Sequence, residues 1–206
     1  MHTLEKIFGS VVKVKILRLF LFNPNATYDL SDLVTRTRSK PAQVKKEIML
    51  LEQIVLLKRR FFFKDFLQKK GKKVIAKKKK VVGWSLNQKF SHLESLQTML
   101  IHTTPLSFDE VIKRFASSGR IKLLVVSGVF NQEWDSRVDL LLVGDNLKRN
   151  NVELAIKNIE SEIGRELKFA VFETQDFQYR LGMFDKLVRD ILDYPHEKLV
   201  NKIGLE

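Results

Sequence analysis

Between Lys58 and Lys80 the chain carries twelve lysines and arginines against a single acid, Asp65. Like charges at that density cannot be buried without partners, so the stretch must lie on the surface. Its flanks say what kind of surface. Val55 to Phe63 is rich in β-branched and aromatic residues, and Val81-Val82-Gly83-Trp84-Ser85-Leu86 has the same character. Both runs read as strands. Gly71 supplies a turn between them, and the spacing predicts a hairpin with a lysine-rich tip.

The charge of the whole chain follows this local feature. Residues 1–90 hold 22 Lys+Arg and 6 Asp+Glu, a net of +16, whereas residues 91–206 hold 15 and 18, a net of −3. A strongly basic half joined to a mildly acidic one suggests a polyanion-binding module attached to something else. The remaining composition narrows the classes. There is no cysteine, which removes disulfides and thiolate metal sites. His2, His92, His102 and His196 lie far apart, with no i, i+4 pair to open a metal site. No charged-then-apolar leader and no apolar run of about 20 residues is present. A cytoplasmic protein with no metal and no cofactor is expected.

Leu4, Ile7, Val11, Val14, Leu17, Phe20 and Leu21 recur at helical spacing and predict one helix from Leu4 to Phe22. Asn23-Pro24-Asn25 ends it. Tyr28 to Val34 predicts one or two further turns. After the polar Arg36-Thr37-Arg38, Ser39 stands as an N-cap and Pro41 falls in the first turn of a third helix that runs to about Gln53. Val44, Ile48 and Leu51 form its buried face, while Gln43, Lys46 and Met49 point away. Helix, short helix, helix and ribbon is the order of a winged helix-turn-helix, whose last helix enters the major groove. There Gln43 suits adenine, and Lys46 suits guanine or a phosphate. Arg38, Ser39, Lys40 and Lys45 sit where backbone phosphates would pass. Lys58, Arg59 and Arg60 add charge at the base of the ribbon. Lys64, Lys69, Lys70, Lys72, Lys73, Lys77, Lys78, Lys79 and Lys80 continue it, which favours phosphate contact. Phe61-Phe62-Phe63 alternates faces and predicts core plus dimer surface rather than a membrane anchor. A protein-interaction module and RNA binding stay open as alternatives.

Phe90 to Ile101 predicts a linking helix, and Thr103-Thr104-Pro105 marks a boundary. The division expected is 1–88, 89–104 and 105–206. Beyond 105 the pattern is α/β. Phe108 to Phe115 is a helix capped by Ser107. Ile121 to Val126, Val138 to Val143 and Leu167 to Phe172 are strands. Val152 to Ile163 is a helix stopped by Gly164. Phe177 to Leu192 is one helix or two, and Leu199 to Ile203 is a final strand.

At this point a family resemblance enters. Leu4-Glu5-Lys6-Ile7-Phe8-Gly9-Ser10, Val14-Lys15-Ile16-Leu17-Arg18-Leu19-Phe20, and Trp84-Ser85-Leu86-Asn87 followed by Phe90 and Leu96 carry its first half. Val138-Asp139-Leu140-Leu141-Leu142-Val143-Gly144-Asp145 and the run from Glu160 through Ile163-Gly164-Arg165-Glu166-Leu167 carry its second. Together they resemble prokaryotic regulators that fuse a winged helix-turn-helix to a minimal nucleotidyltransferase. The resemblance implies an α+β chain whose second domain is a small mixed-sheet α/β fold. Active members carry Gly-Ser after the first strand, Asp-x-Asp on the second and a third acid on a neighbouring strand, because two Mg²⁺ ions need carboxylate oxygens.

This chain departs at each point. The turn reads Ser127-Gly128, Arg137 stands at the first aspartate position before Asp139, and Leu167 to Phe172 holds no acid. Alternation on a strand would put Arg137 and Asp139 on one face, with Asp139 a structural residue paired to Arg137. Glu133, Asp135 and Glu173 are the acids left to substitute as ligands, and Ser127 has no His or Lys partner at recognisable spacing. The expectation is a DNA-binding transcriptional regulator with double-stranded DNA as partner. Its degenerate transferase-like domain would serve dimerisation, partner binding or ligand sensing. A homodimer and a protein partner held by the second domain remain open. The competing readings are an active nucleotidyltransferase acting on protein, RNA or a small molecule, and an antitoxin-like partner protein.

Overall fold

A computed structural model describes residues 3–70, 73–102, 106–134 and 136–205; of 67–70 and 73–76 it describes the backbone alone. The chain is α+β and forms two compact units, Met1–Ile101 and His102–Glu206. Among the described residues, no helix is long and apolar enough to cross a membrane.

The first unit opens with two helices, not the single one that the apolar spacing predicts. α1 spans Thr3–Phe8 and α2 spans Val11–Phe22. Gly9 between them takes a left-handed φ of 69°, a conformation in which glycine carries no Cβ penalty. The Ser10 hydroxyl then accepts the Lys13 N–H at 3.2 Å and starts a new helix. α2 is buried on most of its circumference, through Ile16, Leu17, Leu19 and Phe20. Even Arg18 is buried, donating from Nε to the Leu100 carbonyl at 3.2 Å. β1 (Thr27–Tyr28) is a two-residue strand with no sequence signal of its own. α3 (Leu30–Thr37) follows, and then α4 (Pro41–Gln53), β2 (Leu57–Lys70), β3 (Lys73–Leu86) and α5 (Leu93–Ile101).

The sheet order is β1-β3-β2, antiparallel throughout. β2 and β3 are 14 residues each and pair without a slip from Leu57↔Leu86 to Lys70↔Lys73. Leu33, Val44, Ile48, Leu51, Leu56, Leu57, Leu86 and Leu100 close the core around α2. Among the described residues, the part of the hairpin that joins the core is its base. Gly83 lets it close there, since a Cβ would meet the Tyr28 carbonyl oxygen at 2.6 Å.

The second unit is built on a four-stranded sheet of order β6-β5-β4-β7. α6 (Phe108–Arg114) precedes β4 (Arg120–Val126) and is capped by Ser107 and Glu110 acting reciprocally. β5 (Leu140–Asp145) runs antiparallel to β4 and parallel to β6 (Phe169–Glu173), to which α7 (Arg149–Ile163) connects it. Gly164 ends α7 in the left-handed region. α8 (Thr174–Gly182) and α9 (Lys186–Asp193) are separate helices, and β7 (Glu197–Asn201) pairs with β4. Phe177, Val188 and Ile191 pack on Leu123, Val125, Leu141 and Val143, which share one face of the sheet.

The turn from α4 to β2 carries a local conflict. Val55 N–H donates to Glu52 O and Leu56 N–H to Leu51 O, both at 3.0 Å. That is the paired closure of a helix that ends on a left-handed residue. The residue here is Val55, at φ 59°, where a β-branched side chain is strained. Asn87 holds the strained peptide from the far side, donating to Val55 O at 2.9 Å. Val55→Gly is expected to stabilise the protein by about 1 kcal/mol, seen as a higher midpoint of chemical denaturation. A lower midpoint would contradict this reading of the turn.

Candidate nucleic-acid interface

α3 and α4 meet at a tight corner. Arg38 caps α3 at φ 49°, donating its N–H to Thr35 O at 3.3 Å. Ser39 does not cap α4 as its sequence position predicts. Its hydroxyl turns back to donate to Thr37 O at 3.0 Å, and the N-cap position falls on Lys40, whose side chain makes no capping bond. The left-handed Arg38 shifts the helix start by one residue. The first turn of α4 thus begins at Pro41 with no side chain over it.

The outward face of α4 holds Gln43, Lys45, Lys46 and Met49, all exposed. Both of its acids are engaged elsewhere. Glu47 is buried, 3.5 Å from the Lys13 ammonium. Glu52 takes Arg59 at 3.4 Å through one oxygen and accepts the Trp84 indole N–H at 3.2 Å through the other. A shallow hollow of about 470 Å³ lies between α4 and the hairpin base, lined by Lys45, Met49, Glu52, Arg59 and Trp84 among others.

Strand alternation divides the hairpin's charge between two faces. Arg59 lies opposite Trp84, Phe61 opposite Val82, Phe63 opposite Lys80 and Asp65 opposite Lys78, all on one side. Arg60, Phe62, Lys64, Phe66, Lys77 and Lys79 belong to the other. Arg59 and Arg60, read together from the sequence, therefore point apart. Lys77, Lys78, Lys79 and Lys80 are exposed and split two and two. Lys72 lies outside the described residues, as do the side chains of Lys69, Lys70 and Lys73.

Lys64 has a different task. Its ammonium donates to Asp29 Oδ2 at 2.8 Å, to Asp32 Oδ1 at 2.6 Å and to the Ser31 hydroxyl at 3.3 Å. Asp29 is itself the N-cap of α3, accepting from the Asp32 N–H at 2.8 Å. Nothing in the sequence marks this long-range knot. Burial pushes the Asp29 carboxyl up, but the Lys64 ammonium, the Ser31 hydroxyl and the Asp32 amide together outweigh it and hold it down at about 2. Burial likewise lowers Lys64, and its two carboxylate partners more than compensate, so its pKa is raised.

In the second unit the turn after β4 holds Ser127 and Gly128. Ser127 Oγ lies 3.0 Å from Ser136 Oγ and donates to Pro195 O at 2.9 Å. Gly128, at φ 58°, starts a short 3-10 turn against the Asp139 carboxylate. Asp139 precedes β5 and is buried. Oδ1 accepts the Val129 N–H at 3.0 Å and Oδ2 the Lys168 N–H at 2.8 Å. The expected Arg137–Asp139 pair does not form: Arg137 Nη1 reaches Asp190 Oδ2 at 2.7 Å. Both residues precede the strand proper, so alternation does not align them. Glu133 is exposed, Glu173 accepts the Leu147 N–H at 3.3 Å, and Asp135 lies outside the described residues. Among the described residues, no group of three or more His, Asp or Glu side chains gathers to hold a metal ion.

The Asp29–Lys64 knot has a pH signature. A depressed carboxyl contributes stability that is present above its ordinary value of 3.8 and is lost as the pH falls towards about 2. The raised Lys64 contributes below its ordinary 10.5 and is lost only as the pH climbs past it. Asp29→Asn is expected to cost about 2 kcal/mol at about pH 6. The gap should close as both proteins are acidified from about pH 4 to 2, measured by denaturant midpoints. A gap constant across that range would remove the ion pair from the account. Compared with family models, curated proteins and solved structures, the chain matches none.

Proposed function

We propose that the protein is a cytoplasmic DNA-binding transcriptional regulator, with a winged helix-turn-helix as its first unit and a catalytically silent nucleotidyltransferase-like second unit. One observation carries the reading: both acids of α4 are drawn off its outward face, leaving Lys40, Gln43, Lys45 and Lys46 exposed beside a basic hairpin. A helix with that face suits the major groove, where Gln43 can read adenine and Lys46 guanine. The uncapped start of α4 presents the positive end of its dipole to a phosphate. The exposed Lys77, Lys78, Lys79 and Lys80 supply phosphate contacts that are indifferent to sequence.

The silent second unit rests on Asp139. A metal ligand must present its carboxylate to a space the ion can enter, and Asp139 is buried. Asp139 commits one oxygen to each of two backbone N–H groups, which makes it a staple between the turn after β4 and the entry to β6. A domain of this kind serves assembly, partner binding or ligand sensing.

Titration of duplex DNA at several salt concentrations tests the first part. Affinity should fall steeply with salt, and neutralising Lys77, Lys78, Lys79 and Lys80 should flatten the slope by about 0.9 for each lysine that touches a phosphate. In the same assay Gln43→Ala and Lys46→Ala should weaken a selected site by about 1–3 kcal/mol each, and random duplex much less. A protein that does not bind duplex, or binds without salt dependence, is not this regulator.

Incubation with Mg²⁺ or Mn²⁺ and each labelled nucleoside triphosphate, with DNA, RNA and protein acceptors, tests the second part. No label should transfer. Transfer that disappears in Asp139→Ala, in protein shown to be folded, would make the chain an enzyme.

A further inference from the structure

Two of the most exposed aromatic rings in the molecule stand two residues apart on one strand. Phe61 is 65 % exposed and Phe63 is 69 % exposed. Burial of a phenylalanine is strongly favourable, so two open rings on one face need an account. They share that face with Arg59, Trp84, Val82, Lys80 and Lys78, with Asp65 as the one acid. The Lys80 ammonium stands 5.0 Å from the Phe61 ring centre, and the Arg59 guanidinium 6.0 Å from that of Trp84. Trp84 and Arg59 in turn hold Glu52 of α4. Aromatic rings and cations therefore alternate outward from the α4 end of the hairpin.

We propose that this face of the hairpin is a stacking platform for unstacked nucleobases, with Phe61 and Phe63 taking the bases and Lys78 and Lys80 the phosphates beside them. The proposal rests on the nucleic-acid reading above. Its chemistry is that of single-strand recognition, where a basic track runs beside rings on which bases stack. Side chains two apart on a strand rise about 7 Å along it, close to two base steps of ~3.4 Å. The charge on the face matches a polyanion and opposes a second copy, which would bring the same lysines against one another. The unstacked base has two sources: a single strand, or a duplex whose base step an aromatic wedge has opened.

The test uses the full chain and two fluorescent probes of about 20 nucleotides, an oligo-dT single strand and a random duplex, longer than a stacking site of this size needs. Phe61→Leu with Phe63→Leu keeps apolar bulk and removes both rings. Its affinity for the single strand should fall by about tenfold or more, with the salt slope unchanged. A loss confined to the single strand names that as the source; a loss on the duplex as well names the opened step. Phe61→Trp with Phe63→Trp should restore binding. Both positions are exposed, so the leucine variant should keep the wild-type circular dichroism and denaturation midpoint.

Wild-type affinity for both probes in the leucine variant overturns the platform and leaves the DNA reading standing. Failure of the wild-type protein to bind either probe overturns both. Sedimentation covers the remaining case. A wild-type dimer that the leucine variant dissociates would make this face a contact between copies and overturn the platform.

Discussion

Like charges repel across a hairpin, and the ladder places Lys64 directly opposite Lys79. Such a pair is destabilising on its own. The fold resolves it by turning Lys64 back onto Asp29 and Asp32 at the start of α3. One ammonium thus removes a repulsion within the ribbon and fastens the ribbon to the helices. Asp65, the one acid of the hairpin, stands opposite Lys78 in the register. With Lys64 paired away and an acid opposite Lys78, Lys77 to Lys80 remain exposed along a regular strand. The direction in which the hairpin leaves the core depends on the Lys64 knot on one face and on Glu52, Arg59 and Trp84 on the other.

Two buried aspartates, Asp29 and Asp139, show how one residue type takes opposite parts. Asp29 meets a cation, a hydroxyl and a backbone N–H near the surface, and its charge is what the fold uses. Asp139 meets two backbone N–H groups inside the second unit, and its lone pairs are what the fold uses. A carboxylate held that way orders the turn around Gly128, where a side chain in place of the glycine hydrogen would collide with it. Arg137 is drawn away to Asp190 on α9. The result is a packed junction between the turn after β4 and the entries to β5 and β6.

The paired strands of the hairpin and the α/β pattern of the second half were legible in the sequence, because the switch from helical to twofold period is local and Gly164 ends a helix; the turn expected at Gly71 lies outside the described residues. What escaped was of two kinds. Some features contradict a local signal. Ile7 and Val11 keep helical spacing straight across the Gly9 break, and Ser39 carries a cap's chemistry one residue too early. Val55 takes a conformation that a valine does not advertise. Others are pairings at a distance. Lys64 with Asp29, Arg59 with Glu52 and Arg137 with Asp190 join residues that no periodicity relates. The partners of Asp139 are backbone groups, which sequence cannot name. For the candidate interface, the exposed residues of α4 were readable, but the division of the hairpin's charge between two faces needed the register.

Among the described residues, the sheet order leaves the 14-residue β2 without a neighbour on its outer side. A long strand with open N–H and C=O groups is a template on which other chains can build. Phe61-Phe62-Phe63 lies within it and would suit a cross-β stack. Lysine is a common guard for such an edge, and here the guard is dense. The basic residues therefore guard that edge against other copies of the chain. Replacing Lys58 and Arg60, while Lys64 keeps its tie to Asp29 and Asp32, would leave the fold in place and its edge less guarded against other copies.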